Sequence, residues 1–383
     1  MTFTLPSTSR AATTPAPTPL PSTGFDSQIV RLLRSPAGSV VAARVGEATV
    51  RADLSASLAA IDAALGACPQ VIPPHLADVF GGGKRLRPLL VVAASRASGA
   101  PVPGLHRRVV LGASAVELLH LASLVHDDIM DGALTRHGVG TISARGGTGA
   151  ALLAGDCLLG HAHAAAAELG VTSARLLART LVRLCEGQAE EWSTVFDVER
   201  SMRSYYSAIG GKTGSLVEAA CRLGSLAAGH PARTTTALGR FGHHLGLGYQ
   251  LRDDLLDLTA DAESAGKPVG HDLANGVYTY PTLWALHYDP ELAPLLRAVA
   301  QPGEGSDRTR WAAAVAQRVR ASGAQAATRQ AIRNERVRCL AALTEAVEVI
   351  GPHGVALLAE LTDTVLDQGL DRGLHQGQGP LPG

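Results

Sequence analysis

Residues 119–138 read LHLASLVHDDIMDGALTRHG, a mostly apolar run with three carboxylates, Asp127, Asp128 and Asp131, at its end. On an α-helix, positions i and i+4 share a face, so Asp127 and Asp131 point the same way with Asp128 rotated beside them. An exposed helix can carry such a cluster as a solvated face. Here the flanking ELLHLASLV, residues 117–125, has the composition of a buried helix, and the pattern returns as DDLLD at 253–257 inside GYQLRDDLLDLTAD. Two acidic clusters, each on an apolar helix, call for a partner of opposite charge.

The helical reading extends along the chain. From about Phe25 to about residue 373, Ala/Leu-rich segments of helical length end at Gly or Pro, as at 105–130, 149–169, 173–193, 212–228, 235–258 and 329–349. Aromatic residues make up only 4% and no stretch alternates with a period of two, which leaves little room for a sheet. The expected fold is all-α: one large single-domain helical bundle, its Ala-rich segments allowing close helix approach. Residues 1–24, rich in Pro, Thr and Ser, read as a disordered tail, and 374–383 as a flexible end.

Composition excludes several function classes. Lys plus Arg equals Asp plus Glu at 34 each, so no global field favours nucleic acid or an anionic membrane. No run reads as the roughly 20 apolar residues of a bilayer span, and the N-terminus lacks the apolar core of a secretory signal. Cys68, Cys157, Cys185, Cys221 and Cys339 are scattered without a C-x-x-C pair, which argues against a zinc site or a disulfide framework and suits the cytoplasm.

Function must therefore lie in local sites. Oxygen-only ligands at helical spacing suit Mg²⁺, which shares its shell with substrate phosphates, so the two acidic clusters read as a metal-lined mouth for a diphosphate. Basic groups that would neutralise phosphate oxygens occur in GGGKRLRP, 81–88, with Lys84, Arg85 and Arg87; at Arg136; in GGKTGS, 210–215, with Lys212 and Thr213; and in GKPVGHD, 266–272, with Lys267. GGKTG is not a P-loop, because the G-x-x-x-x-G-K-[ST] spacing is absent and no strand precedes it.

With these motifs the sequence resembles the trans-isoprenyl diphosphate synthases, or polyprenyl synthetases, from FGGGKRLRP to LTDTVLDQGLDR at 361–372. The resemblance implies an all-α bundle around a central cavity, and three Mg²⁺ ions that hold an allylic diphosphate. It implies that Lys84, Arg87 and His120 bind isopentenyl diphosphate. Asp127, Asp128, Asp131 and Asp253 match metal ligands, with Asp254 and Asp257 completing the second motif. Arg136, Lys212, Thr213, Gln250 and Lys267 match residues that grip the allylic diphosphate, and Gln188 matches a glutamine near the metals. Glu191 stands where an aspartate is usual, and His126 reads as a core histidine. A homodimer is expected, and the tail is a candidate docking segment for a partner or a protein compartment.

Two departures remove positive charge: His137 follows Arg136 where the family commonly has a second arginine that helps bind isopentenyl diphosphate, and GVYTYP, 276–281, has Val277 where a lysine is usual. The competing readings are a class I terpene cyclase, whose typical N-D-x-x-S-x-x-x-E motif DDLLDLTAD does not match, and a weakly active or non-catalytic subunit of a hetero-oligomeric synthase. In the resembling family, side chains four or five residues before the first Asp floor the product cavity. Here they are Ser123 and Ala122, the latter about 7.5 Å along the helix from Asp127, and Leu119 is the next obstacle. A product of C20 or longer is expected, with geranylgeranyl diphosphate foremost.

Overall fold

The computed structural model describes residues 25–136, 138–259, 270–300 and 308–368. Both proposed tail segments, His137 and Lys267 lie outside the described residues. Among the described residues the chain forms α1 (Phe25–Arg34), α2 (Pro36–Val45), α3 (Glu47–Gly66), a 3₁₀ turn (Pro74–Gly81), α4 (Leu86–Arg96) and α5 (Leu105–Met130). After a two-residue hairpin, β1 (Thr135–Arg136) and β2 (Val139–Gly140), come α6 (Ile142–Gly146), α7 (Thr148–Glu168), α8 (Val171–Ser193) and α9 (Met202–Ile209). A π-turn (Gly210–Gly214) joins α9 to α10 (Ser215–Ala228), and α11 (Ala232–Thr259) follows. The remainder is α12 (His271–Ala274), α13 (Tyr280–Tyr288), α14 (Leu292–Ala300), α15 (Arg308–Ala321), α16 (Ala324–Thr344) and α17 (Val347–Asp367).

Among the described residues the protein is all-α apart from that hairpin, in which Thr135 faces Gly140 and Arg136 faces Val139. Local chemistry sets several helix starts: the Ser35, Thr141 and Ser201 hydroxyls each accept a backbone N–H three residues on. The inner layer is α4, α5 and α10. Every α4 residue from Pro88 to Ser95 is buried, and α10 buries Leu216, Val217, Ala219, Ala220, Cys221 and Leu223. Close approach requires small residues: a Cβ on Gly224 would stand 2.5 Å from the Val91 carbonyl oxygen. α7 covers α5, and α11 packs between α10 and α16.

Two expectations change. The helix foreseen over 329–349 is two helices, because α16 ends at Thr344 and fully buried Ala346 turns the chain into α17. Within α17, Gly351 adopts φ 65° before Pro352, whose missing N–H and ring break the ladder there. Second, α5 and α17 are long and apolar enough, by length and composition, to cross a membrane, contrary to the reading that no run is. Most of α5 is enclosed by neighbouring helices, so its apolar surface is already in contact with protein.

Candidate active site

Both aspartate motifs have the same internal organisation. In each, the first and last carboxylates share a half-open or exposed face, and the middle one is buried and held by protein. Asp128 is 2% exposed, and Nε and Nη2 of Arg136 donate to its Oδ1 at 3.0 and 2.8 Å. The β1–β2 hairpin makes this contact possible by folding Arg136 back onto the helix it has just left. Asp254 is 3% exposed and accepts from the Tyr205 hydroxyl at 2.5 Å and from Gln250 Nε2 at 2.9 Å. Thr213 donates in turn to Gln250 Oε1 at 2.7 Å, giving a chain Thr213–Gln250–Asp254–Tyr205 that ties the π-turn to α11 and α9. In this state, therefore, Asp128 and Asp254 fasten their motifs, although the sequence places them among metal ligands.

Asp127 and Asp131 share two charged neighbours, Glu191 and Lys212. Glu191 on α8 acts electrostatically on Asp127, Asp131 and Asp254, and so on both motifs. Lys212 Nζ donates to Glu191 Oε1 at 2.5 Å and attracts Asp127 and Asp131. The π-turn that carries Lys212 lies directly on α8 because Gly187 has no side chain: a Cβ there would be 2.7 Å from the Lys212 nitrogen. Burial, opposed by Lys212 and reinforced by Asp131, pushes the Asp127 carboxyl up to about 6. Burial likewise raises Asp131, and it pushes Asp254 up to about 7 against the pull of its hydrogen bonds. Such a mouth is short of positive charge.

Asp253 pairs at 2.7 Å with Arg252, a guanidinium that is 1% exposed, while Asp257 Oδ2 accepts from the Asp272 N–H at 3.4 Å. The Gln188 side-chain oxygen, one turn before Glu191, is buried with no hydrogen-bond partner. An oxygen-only donor set with raised carboxyls and an orphaned carbonyl oxygen fits a divalent cation such as Mg²⁺.

A second, cationic cluster adjoins it. The His120 imidazole is held well below its ordinary value, first by burial and then by Arg87, Arg85 and Arg136. These charges act on His120 from the α4 region, which carries Arg85 and Arg87, and from the hairpin, which carries Arg136. Arg85 behaves differently from its neighbours: it takes φ 46°, turns inward, and pairs with Glu117 at 2.7 Å and with the Phe80 carbonyl. That inward turn leaves Lys84 exposed, with Nζ 3.5 Å from the Tyr249 hydroxyl. A cavity of about 380 Å³ lies here, lined by Lys84, Arg85, Leu86, Leu89, Tyr249 and residues that include parts of α1 and α17. It is not lined by Leu119, Ala122 or Ser123, of which the first two are fully buried and the third half-buried. His126 packs against Gly155 of α7, Val277 is half-buried with its N–H on the Asp272 carbonyl, and neither belongs to these clusters.

Sequence reasoning missed Tyr249, Arg252, Tyr205, Arg200 and Glu117. The Tyr249 ring carries the Arg252 guanidinium 4.4 Å from its centroid and Lys84 at 5.6 Å, so it joins the second acidic motif to the Lys84 loop. Arg200, 6% exposed, donates to the Tyr278 carbonyl at 3.0 Å and feels Glu191 and Asp254. The available signal for two of these was a charge inside an apolar run, Arg252 in YQLRDDLL and Glu117 in AVELLHL.

A helical bundle whose two aspartate motifs both feel Glu191, with a cluster of basic groups acting near the first, fits a metal- and diphosphate-dependent class of enzyme. Residues 70–317 match the polyprenyl synthetase family, and the chain belongs to it. It is a trans-prenyl diphosphate synthase. It is 32% identical over 336 residues to the nonaprenyl diphosphate synthase of Mycobacterium tuberculosis, covering 86% of this chain and 98% of that one. It is 39% identical over 235 residues to heptaprenyl diphosphate synthase component 2 of Geobacillus stearothermophilus, 61% of this chain and 71% of the other. Among solved structures it is similar, at TM-score 0.68 and 28% identity, to a polyprenyl synthase from Caulobacter crescentus complexed with calcium and isoprenyl diphosphate, with 90% of this chain and 98% of that one covered.

Proposed function

We propose that the enzyme joins isopentenyl diphosphate to an allylic diphosphate in a Mg²⁺-dependent prenyl transfer and releases a trans-polyprenyl diphosphate of C20 or longer. One observation carries this reading: the carboxylates of the first motif share Lys212 and Glu191, while a second, basic set has Lys84 beside Tyr249 and Arg87 acting on a neutral His120, which together suit two diphosphates of different binding mode. A terpene cyclase, consuming one diphosphate, has no use for the second cluster.

Asp127, Asp131, Asp253 and Asp257 would hold the Mg²⁺, with three ions expected from the family resemblance, and Asp128 and Asp254 would join them by exchanging their present partners. When bound, Mg²⁺ neutralises diphosphate charge and so favours the departure of that group from the allylic carbon. The chain's own groups do the rest. Lys212, released from Glu191, and Arg136, released from Asp128, donate to the allylic diphosphate. Thr213 and Gln250, already hydrogen-bonded to each other, orient it, and Lys267 completes the grip. Lys84, Arg87 and the neutral His120 hold isopentenyl diphosphate, with His137 in place of a further arginine. The isopentenyl double bond attacks the allylic carbon in a water-excluded pocket, and the proton lost afterwards passes to the departing diphosphate, so no side-chain base is assigned.

Chain length is proposed from Ala122 and Ser123, which put no large side chain below Asp127; the C20 product, geranylgeranyl diphosphate, is the expected main one. Exposed apolar side chains on neighbouring helices, Leu152 and Leu153 on α7 and Val171, Val182 and Trp192 on α8, offer surface for a homodimer. The five free thiols support a cytoplasmic location, with residues 1–24 as a docking segment. The deciding experiment incubates purified protein, Mg²⁺ and isopentenyl diphosphate with C5, C10, C15 and C20 allylic diphosphates in turn and measures the products. Elongated trans-polyprenyl diphosphates support the proposal. Consumption of a single diphosphate without elongation refutes it.

A further inference from the structure

The scattered cysteines of the sequence do not stay scattered. Cys68, in the turn that follows α3, meets Cys157 and His161 of α7, and the three ligand atoms lie within 4.8 Å of one another. Cys68 Sγ is 3.8 Å from His161 Nε2, and the Cys157 Sγ lies within 4.8 Å of both. All three residues are half-buried. We propose that Cys68, Cys157 and His161 form a binding site for a zinc-class divalent cation that ties the end of α3 to α7.

The geometry is close to what such an ion requires. Zn–S bonds of about 2.3 Å and a Zn–N bond of about 2.0–2.1 Å at tetrahedral angles place sulfur and nitrogen about 3.6 Å apart, and the two sulfurs about 3.8 Å apart. The Cys68–His161 separation of 3.8 Å is already within a few tenths of an ångström of that spacing, and the other two separations, at most 4.8 Å, need to close by no more than about 1 Å. Two features preorganise it. Cys157 and His161 are one helical turn apart and share a face of α7. Cys68 sits on a fixed turn, since its carbonyl accepts the N–H groups of Val71 and Ile72 at 2.9 and 2.8 Å and Ile72 is buried.

The donor chemistry selects the metal. Two thiolates and an imidazole favour zinc over magnesium, whereas the all-oxygen aspartate mouth favours magnesium, so the two sites sort their ions by ligand type. Binding replaces the two thiol protons, which leave to solvent; no oxidant or reductant is needed. Three protein ligands in a half-buried setting leave the fourth position to water. The turn leads through Pro74–Gly81 into the Lys84–Arg87 loop, so a metal here would steady the approach to the cationic cluster.

The test uses reduced, full-length protein, with Mg²⁺ in excess to occupy the carboxylates and Co²⁺ as a spectroscopic substitute for zinc. One equivalent of Co²⁺ should produce thiolate-to-cobalt charge-transfer absorption and four-coordinate visible bands, both removed by Zn²⁺. Cys157→Ser and His161→Ala should each weaken Co²⁺ binding by at least the roughly 10–100-fold that losing even an outer partner of a metal site costs. Cys185→Ser, at an exposed thiol outside the cluster, should leave the spectrum unchanged. Zn²⁺ should raise the thermal midpoint of the wild type and not that of Cys157→Ser; Cys68→Ala provides a second variant if Cys157→Ser fails to fold. Absence of the charge-transfer band, or its persistence when ligands are removed, overturns the proposal. So does a Cys68–Cys157 disulfide in the protein as isolated, which would make the pair a redox element.

Discussion

Replacing Asp127 by asparagine should stabilise the metal-free protein while ending catalysis. The carboxyl, ordinarily at 3.8, is pushed up to about 6 by burial, with Lys212 opposing and Asp131 adding to the shift. A group whose folded pKa is raised contributes stability that is complete below its unfolded value and is lost as pH rises through the folded value. Wild-type stability should therefore fall between about pH 4 and about pH 7 in EDTA. A shift of about 2 units corresponds to roughly 3 kcal/mol at its upper bound. Asparagine must still bury an amide and forgoes the attraction of Lys212, so a net gain of about 1–2 kcal/mol at about pH 8 is expected. For a chain of 383 residues that is a rise of roughly 1–3 °C in the thermal midpoint, followed by far-ultraviolet circular dichroism, with no gain near pH 4. Turnover with Mg²⁺ should be abolished. An Asp127→Asn protein less stable than wild type at every pH, or one that remains active, would refute the view that this carboxylate is held at a cost to the fold for the sake of a cation.

Asp253→Ala should also abolish turnover, but with an opposite effect on stability: it removes the counter-ion of buried Arg252, and a loss of about 1–2 kcal/mol should appear in urea unfolding, since the Tyr249 ring and the Val365 carbonyl still hold the guanidinium. Glu117→Ala leaves buried Arg85 unpaired and should cost about 3 kcal/mol or more; a stable variant with weakened substrate binding would instead return Arg85 to the phosphate site. His137→Arg should lower KM for isopentenyl diphosphate about tenfold, because a charge-assisted hydrogen bond contributes about 1.5–3 kcal/mol; an unchanged KM would separate residue 137 from that substrate. Ala122→Phe should shorten the products and Leu119→Ala lengthen them, as read by chromatography, and a wild-type enzyme that stops at C10 or C15 would locate the floor of the product cavity elsewhere.

Periodicity alone determined much of this protein. The span of α5, residues 105–130, was legible because helix formation depends on neighbouring residues, and so was the shared face of Asp127 with Asp131 and of Asp253 with Asp257, which follows from 3.6 residues per turn. The family, too, was legible, because its motifs are short and contiguous. The tertiary structure decided which charges serve the site and which serve the fold. Lys84, Arg85 and Arg87 look equivalent in GGGKRLRP, yet a left-handed turn at Arg85 sends it to Glu117, 32 residues away. Asp128 and Asp254 look like their neighbours, yet burial assigns them to Arg136 and Tyr205. Cys68 and Cys157 carry no local signature at all, because nothing near either one in sequence encodes the packing of α3's end on α7. Helix faces are fixed by local geometry, whereas the partner each face meets is fixed by how the whole set of helices buries its apolar surface, and that depends on all of them at once.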